Sequence, residues 1–142
     1  MIYTELTKKA MEICCAAHAG QKDKGGFPYV FHPAHVAEQM TDEETTVVAL
    51  LHDVVEDTDM TLEELRSAEI PEACLEALDL LTYDGVESYF DYVLRVKENP
   101  IARSVKLADL AHNSDLSRLA APTEKDLQRV EKYRKAVALL QE

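Results

Sequence analysis

Residues 45–57, TTVVALLHDVVED, carry the apolar and ionisable patterns that decide how this chain folds. If this segment is an α-helix, each residue turns by about 100°, and the valine and leucine side chains all fall on one side. The opposite sector, about 140° wide, holds the ionisable side chains of His52, Asp53, Glu56 and Asp57. We therefore predict an amphipathic helix with one side in a core and a short, acidic polar side.

The acidic side of this helix has two interpretations from the segment alone. Charged residues usually lie on the solvated side of a core helix, which implies no further function. A solvated side commonly includes Lys, Arg or Gln, however, and none of these occurs in residues 41–65. Acidic groups packed within two turns repel one another unless a cation lies among them. A metal site is therefore the second interpretation.

The remaining helices are predicted from apolar periodicity and capping residues. No segment alternates apolar and polar residues over the length of a strand, so we predict an all-α fold. Thr61 and Glu64 have the capping-box spacing, and Asn99 precedes a proline suited to a first helical turn. The predicted bundle of about seven or eight helices covers residues 4–19, a segment from 33, 43–57, a segment from 61, 71–80, 88–98, 99–119 and a segment from 123.

Length, composition and charge limit the possible functions. A chain of 142 residues with 46% hydrophobic and 30% charged residues is typical of one folded domain, here residues 1–142. The net charge of −12 argues against nucleic acid as a partner, since such binding depends on lysines and arginines that neutralise phosphates. A phosphorylated small molecule would need a metal ion and a few local cations. The oligomeric state stays open.

The cysteines and the N-terminal segment indicate a cytoplasmic protein. Three cysteines, two of them adjacent, suggest neither a disulfide framework nor a Cys-based zinc site. The N-terminal 20 residues are interrupted by charges and show no signal-peptide core. No stretch reaches the roughly 18 apolar residues that a membrane helix needs.

Two other segments place ionisable residues where metal ligands are expected. His32 precedes Pro33 at a predicted junction of loop and helix, where its ring can project into a pocket. Asp109 lies in the mostly apolar segment VKLADLAHN (105–113), where a carboxylate without a partner would be costly. Adjacent imidazole and carboxylate groups suit hard to borderline divalent ions such as Mn²⁺, Fe²⁺ or Mg²⁺.

Four motifs occur along the chain: AHAGQ (17–21), GGFPYVFHP (25–33), ALLHDVVEDT (49–58) and VKLADLAHN (105–113). Together they resemble the HD superfamily of metal-dependent phosphohydrolases and, more closely, the hydrolase domain of the Rel/Spo alarmone enzymes. A bare His-Asp pair is a weak signal, whereas HDVVED with PYVFHP and KLADLAHN is specific. The resemblance implies a single helical HD domain with four metal ligands, His32, His52, Asp53 and Asp109.

The resemblance also implies roles for residues around the metal. Glu56 and Asp57 correspond to a pair that orients and activates water beside the ion. The implied substrate contacts lie in the loop before residue 33 and in the 105–113 segment. They are Tyr29 and Lys24 beneath the base and phosphates and Asn113 at the nucleotide sugar. Because its charge suits a phosphate, Lys106 is expected to contact one as well.

The implied activity is hydrolysis of the 3′-diphosphate of guanosine bis-diphosphates with release of pyrophosphate. The expected cofactor is Mn²⁺, with Fe²⁺ and Zn²⁺ as alternatives. Asp23 and Leu110 depart from the family, which usually carries arginine at both positions. An HD phosphohydrolase acting on another nucleotide or on a nicotinamide cofactor phosphate is therefore an alternative. A catalytically silent nucleotide-binding module is a second one.

Three histidines outside the ligand set have no assigned role. His18 is more readily explained as a partly buried structural residue than as a group supporting the site. His35, one turn from His32, is expected on the surface of its helix. His112 lies within about 60° of Asp109 on a helical projection, so a metal-ligand role stays open.

Overall fold

Nine α-helices form the regular structure of residues 1–142, which a computed structural model describes apart from the side chain of Arg118. The all-α prediction is confirmed, because the described residues form no strand beyond an isolated bridge between Lys22 and Pro28. The helices are α1 (Glu5–Ala17), α2 (Phe31–Glu38), α3 (Glu43–Leu51), α4 (Val54–Asp57), α5 (Leu62–Ser67), α6 (Glu72–Leu81), α7 (Tyr89–Lys97), α8 (Pro100–Asn113) and α9 (Glu124–Gln141).

Side-chain caps start most of these helices at the predicted places. The Thr61 hydroxyl accepts a hydrogen bond from the Glu64 N–H, and Asn99 caps α8 with Pro100 in its first turn. Such caps satisfy N–H groups that have no partner inside the helix. The side chains of Thr4, Asp42, Ser88 and Thr123 cap α1, α3, α7 and α9 in the same way.

The α3 helix forms the centre of the core. Every residue from Thr45 to Leu51 is buried, and α3 packs against α1, α2, α6 and α8. A helix buried on most sides carries no charged side chains around its circumference, and TTVVALL has none. The α7 and α9 helices then pack against α8 on the outer side. None of the helices in the described part of the chain is long and apolar enough to cross a bilayer.

The predicted continuous helix over residues 43–57 is wrong, because the structure interrupts it at His52 and Asp53. In a continuous helix the Ala49 carbonyl would accept the Asp53 N–H. Instead, Nδ1 of His52 lies 2.6 Å from that carbonyl oxygen. Asp53, with φ of −102° and ψ of −1°, lies between α3 and α4, which begins at Val54. The interruption therefore falls at the His-Asp pair.

Two other helix boundaries differ from prediction. The α2 helix begins at Phe31 rather than near Pro33, so His32 lies in its first turn. The α8 helix ends at Asn113 rather than near residue 119. There the carboxylate of Asp115 accepts the Ser117 N–H and starts a separate 3₁₀ turn. A short acceptor that bonds to nearby backbone competes with continuation of a helix.

Shortening Leu51 to alanine tests the central position of α3. Leu51 is fully buried beside the His-Asp pair, so we expect Leu51→Ala to lower the free energy of unfolding by about 2–5 kcal/mol. Urea denaturation measures the change. Leu94→Ala, at a side chain that is 44% exposed on α7, is the matched control and should cost much less. Equal losses in the two variants would contradict the packing described.

Candidate metal centre and nucleotide pocket

Four predicted ligands from three parts of the chain converge at the polar edge of α3. His32 comes from α2, His52 and Asp53 from the interruption after α3, and Asp109 from α8. The Nε2 atoms of the two histidines lie 3.3 Å apart. Oδ1 of Asp109 is 2.9 Å from the His32 Nε2 and 3.4 Å from the His52 Nε2. Oδ2 of Asp53 is 3.1 Å from the His52 Nε2 and 3.6 Å from the His32 Nε2.

The separations of these donor atoms suit a divalent metal ion. Ligands about 2.1 Å from one ion and at right angles lie about 3.0 Å from each other, close to the observed range. The donor set is two imidazole nitrogens and two carboxylate oxygens, which Mn²⁺, Fe²⁺ and Zn²⁺ accept. His32, His52 and Asp109 form a buried group whose donor atoms all lie within 4.8 Å of one another. The residues therefore fit a metal ion.

Because these ionisable groups are buried together, the charge on each one changes the pKa of the others. Burial disfavours the charge on Asp109, yet the neighbouring Lys106 ammonium and the two histidines hold its pKa well below the usual value. For His52, burial alone would lower the pKa, but Asp53 and Asp109 raise it well above 6.5. Without a metal ion, protons and Lys106 therefore balance the carboxylates.

Two predicted substrate contacts instead hold Asp109 in this structure. Nζ of Lys106 lies 3.0 Å from Oδ2 of Asp109, and the Lys106 side chain is only 13% exposed. The amide of Asn113 donates to Oδ1 of Asp109 over 2.9 Å. The two residues lie one turn before and after Asp109 on α8, so helix geometry brings all three together. Together they fix both oxygens of the predicted ligand.

Glu56 and Asp57 lie beside the histidine-aspartate centre, as the sequence predicts. With Asp53 they form an acidic group whose donor atoms lie within 4.8 Å of one another. Partial burial and the charge of Asp53 raise the pKa of both Glu56 and Asp57. One Glu56 carboxylate oxygen accepts the Tyr83 N–H at 3.2 Å. A carboxylate with a raised pKa is suited to taking up a proton near neutral pH.

Tyr29 connects the loop to both acidic positions. Its hydroxyl donates to Oδ2 of Asp53 over 2.6 Å and lies 3.4 Å from Oδ2 of Asp57. Burial and then the charge of Asp53 raise the pKa of this phenol, so it remains a donor. The predicted substrate residue thus also orients a predicted metal ligand.

A cavity of about 360 Å³ opens beside the centre. His32 and Tyr29 line its inner end, and Lys24 and Arg129 bring positive charge to its rim. Nζ of Lys24, whose side chain is 65% exposed, lies 3.7 Å from a carboxylate oxygen of Asp126. Arg129 donates to the same oxygen over 2.7 Å. The other lining residues are Lys22, Asp23, Gly25, Asn113, Asp115, Leu116, Leu119 and Tyr133.

The contribution of α9 to this cavity was missed in the sequence. Tyr133 falls in the segment KYRKA (132–136), which is typical of a solvated helix end, and Arg129 carries no motif. Both residues line the cavity because α9 packs along α8. A basic and an aromatic residue one turn apart on an exposed helix are common, so the sequence held no specific signal for them.

Comparisons with known proteins agree with this geometry. A family model described as an HD domain matches residues 10–75, a range that includes His32 and the His-Asp pair. The chain is an HD-domain protein. The resemblance stated from the motifs is thereby confirmed.

Several relatives of this HD domain are named for alarmone metabolism. The chain is 33% identical over 123 residues to a guanosine-3′,5′-bis(diphosphate) 3′-pyrophosphohydrolase of Aquifex aeolicus, covering 78% of this chain and 18% of that protein. It is 32% identical over 121 residues to the bifunctional (p)ppGpp synthase/hydrolase SpoT of Escherichia coli, covering 75% and 17%. The chain thus spans less than a fifth of the length of these curated relatives.

A solved structure resembles this HD domain over most of its length. It is described as a metazoan ortholog of SpoT that hydrolyzes ppGpp and plays a role in starvation responses. The TM-score is 0.77 at 26% identity, and the match covers 99% of this chain and 88% of that chain. The all-α fold is therefore shared with a chain of comparable length.

The two departures from the family have different structural settings in this HD domain. Oδ1 of Asp23 accepts the N–H groups of Gly25 and Phe27, at 2.9 and 3.0 Å, and so shapes the loop at the cavity rim. Leu110 is fully buried in the core. Asp23 therefore bears on the cavity, whereas Leu110 does not line it.

Two of the three unassigned histidines lie next to the centre. His18 is buried, and its Nδ1 donates to the Gln21 amide oxygen, while the Gln21 amide donates to the Asp57 carbonyl. His18 is thus a structural residue, which Gln21 connects to the backbone at the end of α4. Nδ1 of His112 lies 2.7 Å from Nδ1 of His32. His35 is exposed on α2, as predicted, and stacks on His112.

The raised pKa of His52 predicts how pH affects the metal-free HD domain. Protonated His52 stabilises the fold, fully below about pH 6.5 and progressively less as pH rises through the raised pKa. In chelator, we therefore expect the free energy of unfolding to fall as pH increases from 6.5. Urea denaturation at several pH values measures this.

Variants separate His52 from other causes of this pH dependence. In His52→Gln the decline above pH 6.5 should be much smaller, while His35→Gln should keep it. Because the pKa values of Asp53 and Asp109 are lowered, these two groups change the free energy of unfolding only at acid pH, below this range. A wild-type stability that is flat or rising above pH 6.5 would contradict the charge arrangement described.

Proposed function

We propose that this HD domain is a metal-dependent hydrolase that removes the 3′-diphosphate of guanosine 3′,5′-bis(diphosphate) and releases pyrophosphate. The observation that carries the proposal is the convergence of four donor atoms beside the acidic pair of Glu56 and Asp57. One of the four ligands, His32, also lines the adjoining cavity. The names of the relatives and of the structural neighbour support the same substrate. A small phosphorylated nucleotide is accordingly the proposed partner.

The proposed ligands are His32, His52, Asp53 and Asp109, and the proposed ion is Mn²⁺. When bound, such an ion lowers the pKa of water and polarises a phosphoryl oxygen. Two imidazoles and two carboxylates leave a net anionic site, which retains a divalent cation well. Lys106 and Asn113 keep the Asp109 carboxylate in place, and Tyr29 does so for Asp53.

Glu56 and Asp57 are the proposed catalytic residues. Glu56 takes a proton from the attacking water, whose oxygen forms a bond to the phosphorus attached to the ribose 3′ oxygen. The bond between that phosphorus and the ribose oxygen breaks, and the ribose oxygen receives a proton. The raised pKa of Glu56 makes its carboxylate a stronger base than an ordinary glutamate. Asp57, whose backbone carbonyl accepts a hydrogen bond from the Gln21 amide, orients the water.

The cations at the cavity rim bind the phosphates that are not cleaved. Lys24 and Arg129 both contact Asp126, so a phosphate must compete with this carboxylate or draw Lys24 away from it. The high exposure of Lys24 leaves its side chain free to move. Asn113 also lines the cavity and is the proposed contact to the sugar.

A second substrate class is favoured by the setting of Asp23. Its carboxylate shapes the loop at the cavity rim where the family usually carries arginine. An anion there disfavours a substrate group rich in phosphate and favours another nucleotide or a nicotinamide cofactor phosphate. The chemistry at Glu56 would be the same for either class.

Two broader assignments belong to this proposal. Residues 1–142 act as one domain, since α3 and α8 bring helices from both ends of the chain into one core. The protein works in the cytoplasm, where its nucleotide substrates occur.

Replacing Glu56 by glutamine tests the proposed base. The amide cannot accept the proton, so we expect kcat to fall by roughly 10²–10⁴-fold while Mn²⁺ still binds. Pyrophosphate release measures turnover, and isothermal titration calorimetry measures Mn²⁺ binding. Glu76→Gln, at an exposed glutamate on α6, is the control and should be fully active. Wild-type turnover by Glu56→Gln would exclude Glu56 as the base.

A substrate panel tests the alarmone assignment. With Mn²⁺ present, we expect guanosine 3′,5′-bis(diphosphate) to be cleaved to GDP and pyrophosphate, because its 3′-diphosphate reaches the centre. Guanosine 5′-diphosphate and nicotinamide dinucleotide phosphates should remain intact, as resolved by ion-exchange chromatography. If the bis-diphosphate remains intact while another compound is cleaved, the second substrate class replaces the first.

A further inference from the structure

His112 on α8 lies between His32, a proposed ligand, and the exposed His35. Its ring is nearly parallel to both, with ring centroids 5.0 Å from His32 and 4.0 Å from His35. Nδ1 of His112 lies 2.7 Å from Nδ1 of His32, a hydrogen-bond distance. His112 itself contributes no atom to the buried group of metal-ligating side chains found among the described residues.

The hydrogen bond between these two nitrogens has only one direction that permits metal binding. Nε2 of His32 faces the other ligand atoms, so it must present a lone pair to the ion. A neutral imidazole carries one proton, which must then reside on Nδ1 of His32. That Nδ1–H donates to His112, whose own Nδ1 must therefore be the unprotonated nitrogen.

We propose that His112 is a positioning residue that fixes the metal-binding tautomer and the ring orientation of His32. This inference rests on the metal site of the proposed function and gives His112 a role outside the ligand set. Histidine ligands in proteins commonly donate their second N–H to a carboxylate, a backbone carbonyl or a water molecule. That hydrogen bond also increases the basicity of the ligand. Here the acceptor is another imidazole.

The other histidine of the centre follows the same rule with a backbone partner. Nδ1 of His52 lies 2.6 Å from the Ala49 carbonyl oxygen, which can only accept. His52 therefore also carries its proton on Nδ1 and leaves Nε2 free for the ion. His32 lies in the first turn of α2 and meets α8, where His112 supplies the acceptor that a carbonyl supplies for His52.

His35 contacts the outer face of the His112 ring. The His35 and His112 rings stack with an angle of 22° between their planes. His35 is exposed at the outer end of the row, and the His112 ring lies between it and His32. Removing the His35 ring should therefore leave the acceptor for His32 in place. This arrangement supplies a control next to the residue under test.

Mn²⁺ binding by His112 variants tests the proposal without any substrate. The variants are His112→Asn, whose amide oxygen can replace the acceptor Nδ1, and His112→Phe and His112→Ala, which offer no acceptor. We expect His112→Phe and His112→Ala to weaken Mn²⁺ affinity by about 10–100-fold. His112→Asn should recover most of it, and the control His35→Ala should bind as the wild type does. Isothermal titration calorimetry gives Kd, and thermal unfolding shows that each variant is folded.

The outcomes separate this inference from the proposed function. If wild-type protein binds Mn²⁺ and His112→Phe binds it equally well, the role of His112 is overturned and the metal site stands. Equal losses in His112→Asn and His112→Phe would also overturn it. A wild type that binds no divalent ion would overturn both.

A measurement on the wild type covers the case in which His112 variants do not fold. In protein loaded with Zn²⁺, which is diamagnetic, ¹⁵N NMR of the imidazoles reports which nitrogen carries each proton. We expect the His32 proton on Nδ1, with Nδ1 of His112 unprotonated. A proton on Nδ1 of His112, or metal bound through Nδ1 of His32, would overturn the proposal.

Discussion

The Asp109 carboxylate, buried in a helical core, is the group on which the arrangement of the site depends. A carboxylate removed from water needs nearly complete hydrogen bonding and opposite charge. Lys106 and Asn113, one turn to either side on α8, bind its two oxygens. His32 and His52 approach the same carboxylate from α2 and α3. The packing of α8 against these two helices is therefore tied to the satisfaction of this single charge.

The interruption after α3 places both members of the His-Asp pair at the centre. Nδ1 of His52 meets the Ala49 carbonyl oxygen, Nε2 of His52 faces the centre, and Oδ2 of Asp53 lies 3.1 Å from that Nε2. The Nδ1 atoms of His52 and His32, which do not face the centre, each have a partner: the Ala49 carbonyl for His52 and His112 for His32. The same hydrogen bonds therefore stabilise the fold and orient the proposed metal ligands.

Much of the site was predictable because its residues lie in short, local patterns. The pattern in residues 45–57 predicted the acidic side, and the motifs identified His32 and Asp109 through their resemblance to a family. Local patterns could not show what side chains do across helices. Lys106 was predicted at a phosphate, yet the structure pairs it with Asp109. Arg129 and Tyr133 line the cavity only because α9 packs along α8, a contact distant in sequence.

The sequence by itself determined the all-α fold, the capped starts of most helices and the identity of the four candidate ligands, because periodicity, caps and motifs act over a few residues. Tertiary structure decided that His112 of α8 meets His32 and that α9 supplies part of the cavity wall. These contacts depend on which side chain from a distant part of the chain arrives beside the site. Such an encounter is a property of helix packing, and a spacing along the chain cannot encode it.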